Sequence, residues 1–150
     1  MRTPRTTLVR STVILAITAV VALTAPATAQ AGTPNYAWQL FHATNQSRTT
    51  HGVHRLNRAF RMSDEARDHS ERMARDKRLW HTDGPRQYGA NCYAWGENVG
   101  WTTGGVNDLE KAFMASADHR SHILDAGFDR VAVGAAKVDG KLWVTVFFCT

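Results

Sequence analysis

The stretch that decides the fold is residues 130–149, RVAVGAAKVDGKLWVTVFFC. Two runs rich in valine and phenylalanine alternate between apolar and smaller or polar residues, the period of a strand that buries one face. Between them stand Asp139 and Gly140. Asp-Gly between two such runs specifies a two-residue hairpin, because both central positions need positive φ. The chain therefore ends in a β-hairpin, and everything before it has to supply what covers that sheet.

Working back from Arg130, the pattern turns helical. Gly127 closes the helical half. Residues 113–124, FMASADHRSHIL, continue a helix whose inner stripe is Leu109, Ala112, Phe113 and Ser116, with Asn107 or Asp108 as its cap. Residues 81–105 are dense in glycine and turn formers and read as a long loop holding one short strand near Trp95–Trp101. Upstream, Ser63 is the expected N-cap of a helix running to about Lys77, with Ala66, His69, Ser70, Met73 and Ala74 as its buried stripe. Residues 53–60 read as an irregular bridge. An opening helix is marked by Ala37, Leu40, Phe41 and Thr44 and stopped by Gly52. Helices first and a small sheet last give the class α+β.

The first 29 residues are expected to be a secretory signal. Arg2, Arg5 and Arg10 precede an apolar run of about fifteen residues and a small-residue cleavage site, with Ala29 preferred over Ala31 as the last residue removed. Residues 30–36 form a linker, and 37–150 a single domain. That apolar run is short for a spanning helix, so no stable membrane insertion is expected after cleavage. Removal of the signal takes three basic residues and no acids, and the formal charge falls from +5 to +2. With no aromatic interleaving among the basic residues, nucleic acid is not an expected partner. Cys92 and Cys149 are the only cysteines. In an exported chain they are expected to form a disulfide, and CxxC spacing is absent.

Three residues carry candidate chemistry: His81 at the mouth of the glycine-rich loop, Glu97 within GENVG, and His119 one helical turn after Ser116. Two imidazoles and a carboxylate from three separate elements could meet in one cavity and hold a divalent transition metal. His122 reads as surface, His69 as a hydrogen-bonded core residue, and His42, His51 and His54 as structural or solvent-facing. Trp80, Tyr93, Trp95 and Trp101 are either core or the walls of a groove.

These pieces, in this order, resemble the CAP superfamily of cysteine-rich secretory, antigen 5 and pathogenesis-related proteins, and most of all its bacterial single-domain (SCP-like) branch. The stretches carrying the resemblance are LFHATNQSRTTHGVHRL (40–56), with Asn45, Arg48, Gly52 and Leu56; DEARDHSERMARDKRLWH (64–81); GENVG (96–100); AFMASADHRSHIL (112–124); and VAVGAA (131–136) with the final hairpin. The resemblance implies a three-layer α-β-α sandwich around a small antiparallel sheet. It implies a central cavity lined by His81, Glu97 and His119, in which the two histidines hold zinc or another divalent cation. Phe113 and Ser116 stand where many eukaryotic relatives carry a tryptophan and a second cavity glutamate, and Glu110, one turn back, is the one candidate replacement. The implied role is a secreted, extracellular, monomeric binding module for a small apolar ligand, a lipid or a cell-surface component. The alternative is a metal-dependent peptidase or esterase.

Overall fold

A computed structural model describes residues 35–150; the expected signal and residues 30–34 of the linker lie outside the described residues. Helix α1 spans Tyr36–Thr50, strand β1 Asn57–Arg58, helix α2 Phe60–Asp76, strand β2 Trp95–Thr102, helix α3 Val106–Ala115, helix α4 Ala117–Leu124, and strands β3 and β4 Arg130–Val138 and Lys141–Cys149. A single 3-10 turn, Gly84–Arg86, interrupts the loop before β2.

The hairpin forms as expected. Asp139 (φ 49°) and Gly140 (φ 76°) both take positive φ, and β3 and β4 pair antiparallel from Arg130↔Cys149 to Val138↔Lys141. Strand β2 pairs antiparallel with the other edge of β4, so the last strand of the chain lies inside the sheet, in the order β1-β3-β4-β2. The sheet is mixed, which corrects the expectation of an antiparallel one. Two residues of the supposed irregular bridge, Asn57 and Arg58, pair parallel with Arg130 and Val131. Asn45 places them: its side-chain amide donates to the Leu56 carbonyl (3.2 Å) and accepts from the Leu56 N–H (2.7 Å).

Alternation along the central strands builds the three layers. Val131 and Val133 of β3, with Leu142, Val144, Val146 and Phe148 of β4, pack against Leu40 and Phe41 of α1, Leu109 and Phe113 of α3 and Ile123 of α4. Ala132 and Phe147 face the opposite way, onto Met62 and Ala66 of α2, and Trp143 faces Met73 and Ala74. Helix α2 lies very close to the sheet at Gly134, where a Cβ would stand 2.0 Å from the Ala66 carbonyl carbon. The Ser70 hydroxyl then donates to Thr145 Oγ1 at 3.0 Å.

Two helix starts differ from expectation. Helix α2 begins at Phe60, and the Ser63 hydroxyl donates back to the Ala59 carbonyl at 3.0 Å instead of capping. Helix α3 is capped at Gly105, whose N–H donates to Asp108 Oδ2 at 3.0 Å from the third helical position. Ala112, expected on the inner stripe, is exposed.

Arg48 ties the helical layer together. Its guanidinium is fully buried and donates to the carbonyls of His54 (2.7 Å), Ile123 (2.8 Å), Asp125 (2.8 Å) and Phe128 (3.3 Å). It therefore closes the C-terminal end of α4, where carbonyls lack helical partners and a cation is favoured. Burial lowers its pKa, and the charge of Asp125 opposes that shift. The disulfide forms between Cys92 and Cys149, with Cα atoms 5.4 Å apart.

Candidate functional site around strand β2

Strand β2 is an edge strand, and its alternation sends Glu97 to the α2 side and Gly96, Asn98 and Gly100 to the α3–α4 side. Glu97 is buried, its side chain 1 % exposed, and both carboxylate oxygens are fully engaged. Oε1 accepts from His81 Nδ1 and from the Thr82 N–H, each at 2.9 Å; Oε2 accepts from the Thr82 hydroxyl at 2.6 Å and the Tyr88 hydroxyl at 2.9 Å. Four donors on two oxygens offset the cost of burying the charge. Burial, and then the Glu97 charge, raise the Tyr88 pKa, which keeps the phenol protonated as a donor.

His81 reaches this carboxylate because α2 stops sharply. Lys77 takes a left-handed conformation (φ 51°), and His69 Nε2 holds the Trp80 carbonyl at 2.8 Å. A carboxylate can only accept, so Nδ1 of His81 carries the proton and Nε2 of the neutral ring keeps its lone pair. The ring itself is 59 % exposed, so that lone pair is open to solvent.

From the other face, α4 supplies His119 and His122. Asn98 clamps both residues: its Nδ2 donates to the His119 carbonyl at 3.0 Å, and its Oδ1 accepts from His122 Nδ1 at 2.9 Å. That fixes the tautomer of His122 as well, with Nε2 free. His122 is therefore not the surface bystander its sequence position suggests. It is half-buried, its ring lying where a Cβ on Gly96 would stand 2.6 Å from Cδ2. Burial lowers the pKa of His119, and the nearby charges of His122 and His81 lower it further. His122 is lowered in the same way by burial and then by His81. His119 and His122 thus lie against one face of β2 through Asn98, and His81 is held by Glu97 from the other.

Ser116 sits at the junction of α3 and α4 in extended conformation (φ −90°, ψ 125°), so the helix expected to continue is broken there. With His119 it lines a cleft of about 280 Å³ walled by Leu79, Val99, Leu109 and Phe113; His81 and Glu97 lie outside that lining. Glu110 does not replace the second carboxylate. It points away into the α1–α3 contact, accepting from Ser47 Oγ at 2.7 Å and Thr44 Oγ1 at 3.0 Å. The four loop aromatics do not share a groove: Trp80 packs with Met73 and Trp143, Trp95 stacks on Phe147, Trp101 leans on Trp143 under Lys141, and Tyr93 is fully exposed.

Among the described residues, no three His, Cys, Asp or Glu side chains converge as a group able to hold a metal ion. The donors present do not fit a closed zinc site, which takes four protein ligands, or an open one with three. His81 alone among them has its ring oriented by a carboxylate, as ligating histidines usually have.

The sequence model of the cysteine-rich secretory protein family (CAP) matches residues 41–150. Among solved structures, the chain is similar to an extracellular protein containing an SCP domain from Bacillus anthracis, at 24% identity and TM-score 0.65, over 76% of this chain and 40% of that one. It is also similar to an outer surface protein from Borrelia burgdorferi, at 13% identity and TM-score 0.67, over 75% of this chain and 90% of that one. A third similar structure is NaASP2 with Zn2+, at 10% identity and TM-score 0.55, over 79% of this chain and 82% of that one. The chain thus spans well under half of the Bacillus protein. No curated protein sequence matches it. Among the described residues, no helix is long and apolar enough to cross a membrane.

Proposed function

Since the chain belongs to the cysteine-rich secretory protein family, we propose that it is an exported extracellular binding module whose β2 edge takes a divalent cation on His81 and His119. The observation that carries this reading is the His81–Glu97 contact at 2.9 Å, which turns Nε2 of an exposed ring outward as a ready ligand. Depressed basicity of His119 supports it, because a metal binds the neutral ring. The Zn2+ present with NaASP2 is in keeping with the same chemistry. Two protein ligands imply weak binding, with the remaining positions filled by solvent or by a partner's donor.

Catalysis is the weaker reading. Both oxygens of Glu97 are already committed to four donors, so this carboxylate has no free lone pair directed at a substrate water. Beside His119, the 280 Å³ cleft lies at the lower limit for ligand pockets and admits a small apolar group, such as the end of a lipid chain, and not a whole lipid.

Calorimetric titration with zinc tests the proposal on the unmodified chain beside His81→Ala and His119→Ala. Heat in the first, reduced at least tenfold in affinity in both variants, supports it; indistinguishable heats in all three would remove the site. Hydrolysis of a peptide or ester panel that depends on added zinc would restore the enzymatic alternative.

A further inference from the structure

The opposite edge of the sheet is open. Strand β1 covers β3 only at Arg130 and Val131, with the Ala59 N–H donating to the Val131 carbonyl at 2.8 Å. The Val133 N–H, pointing the same way, is taken up by the Ser63 hydroxyl at 3.4 Å. By the two-residue period of a strand, the N–H and C=O of Ala135 and Lys137 point outward along the same edge. Among the described residues no strand lies against them. The edge forms the floor of a groove of about 550 Å³ between the first turns of α1 and α2, lined by buried Val133, half-buried Ala135 and exposed Lys137.

The walls of this groove carry unspent positive charge. The Arg58 guanidinium carbon lies 5.4 Å from the centre of the Trp38 ring and 5.1 Å from that of the Phe60 ring. Its Nε is buried and donates to no acceptor among the described residues. Lys137 Nζ stands 5.4 Å from the Tyr36 ring and, like Arg58, makes no ion pair among the described residues. The one acidic wall residue, Asp64, is already paired with Arg67 at 3.0 Å. Phe60, on the rim, is 69 % exposed.

We propose that this edge of β3 receives an extended peptide segment bearing an acidic residue, which adds a strand along Val133–Lys137 and sets its carboxylate against Arg58. The main-chain ladder supplies affinity and the charge supplies selection, as in other cases of strand addition. Four residue steps give a ladder of about 13 Å, a short recognition segment. The buried Nε provides a charge-assisted bond that only an acceptor can satisfy. Residues 30–34 of the same chain suit the edge poorly, since they carry no carboxylate and Pro34 has no N–H. A second copy of β3 would bring Arg58 and Lys137 against their own duplicates.

The experiment is a titration of the ¹⁵N-labelled protein with the blocked pentapeptide Thr-Val-Glu-Val-Thr, with its lysine counterpart, and with a version carrying proline at the centre. The glutamate peptide is expected to shift and protect the Ala135 and Lys137 amides. The other two are expected to bind at least tenfold more weakly. Arg58→Ala and, as an exposed change that leaves the core untouched, Lys137→Glu should each weaken the glutamate peptide severalfold, and Lys137→Glu should improve the lysine peptide. Equal binding of the three peptides, shifts confined to other surfaces, no binding at millimolar peptide, or binding of a sulfated polysaccharide without protection of these amides would each overturn the proposal.

Discussion

Whether Glu110 replaces the missing cavity carboxylate is a question the sequence leaves open, because its partners are distant along the chain; it is buried among hydroxyls with no cation beside it. Burial raises its pKa above the usual 4.5, against the pull of the Ser47 and Thr44 hydroxyls. A raised folded-state value means that its contribution to stability is fully present below 4.5 and lost as pH rises through the folded value. Glu110→Gln should therefore be the more stable protein at neutral pH by about 1 kcal/mol, with the gap closing in acid. Thermal melts of both proteins across that range would check the sign. His122 was hidden for a related reason: only the absence of a Cβ at Gly96 allows its ring to approach β2, and neither the approach nor the Asn98 clamp leaves a mark in local spacing. His69 was legible, because an imidazole on a helix stripe of small and apolar residues has few other roles.

At the scale of elements, the long strands and helix stripes follow from periodicity because burial on one face imposes it. Every residue of the expected α2 stripe is buried. What periodicity misses is set by pairing or by choice among equivalent local bonds. Ser63 can cap a helix or bond back to the carbonyl four residues earlier; here it does the second, and α2 starts four residues sooner. Strand β1 has two residues and no local signal at all, since its existence depends on Asn45 and on β3. The closest helix–sheet contact yields a prediction at this scale. Gly134→Ala would force α2 off the sheet at Ala66, so a loss of about 3 kcal/mol is expected by chemical denaturation. The Ser70–Thr145 hydrogen bond, stretched by the same displacement, should show faster hydroxyl or amide exchange nearby.

For the whole molecule, the disulfide closes a loop over a sequence separation of 57. Constraint of the unfolded chain over that span contributes about 4 kcal/mol. Replacing Cys92 and Cys149 together by serine should lower the denaturation midpoint by the corresponding amount, and adding reductant to the unmodified protein should match the double variant. Agreement between the two would show that the loss comes from the bond itself and not from the serines. The pairing was legible from the count of two cysteines; that it fastens the end of an interior strand to the loop before an edge strand was not.

That interior position of β4 has a consequence for how the protein is made. Strand β2 has no strand partner, and β3 has only the two residues of β1, until Lys141–Cys149 has been synthesised. A nascent chain of this kind cannot close its sheet before β4 has been made, so a break anywhere in β4 leaves β2 without a neighbour.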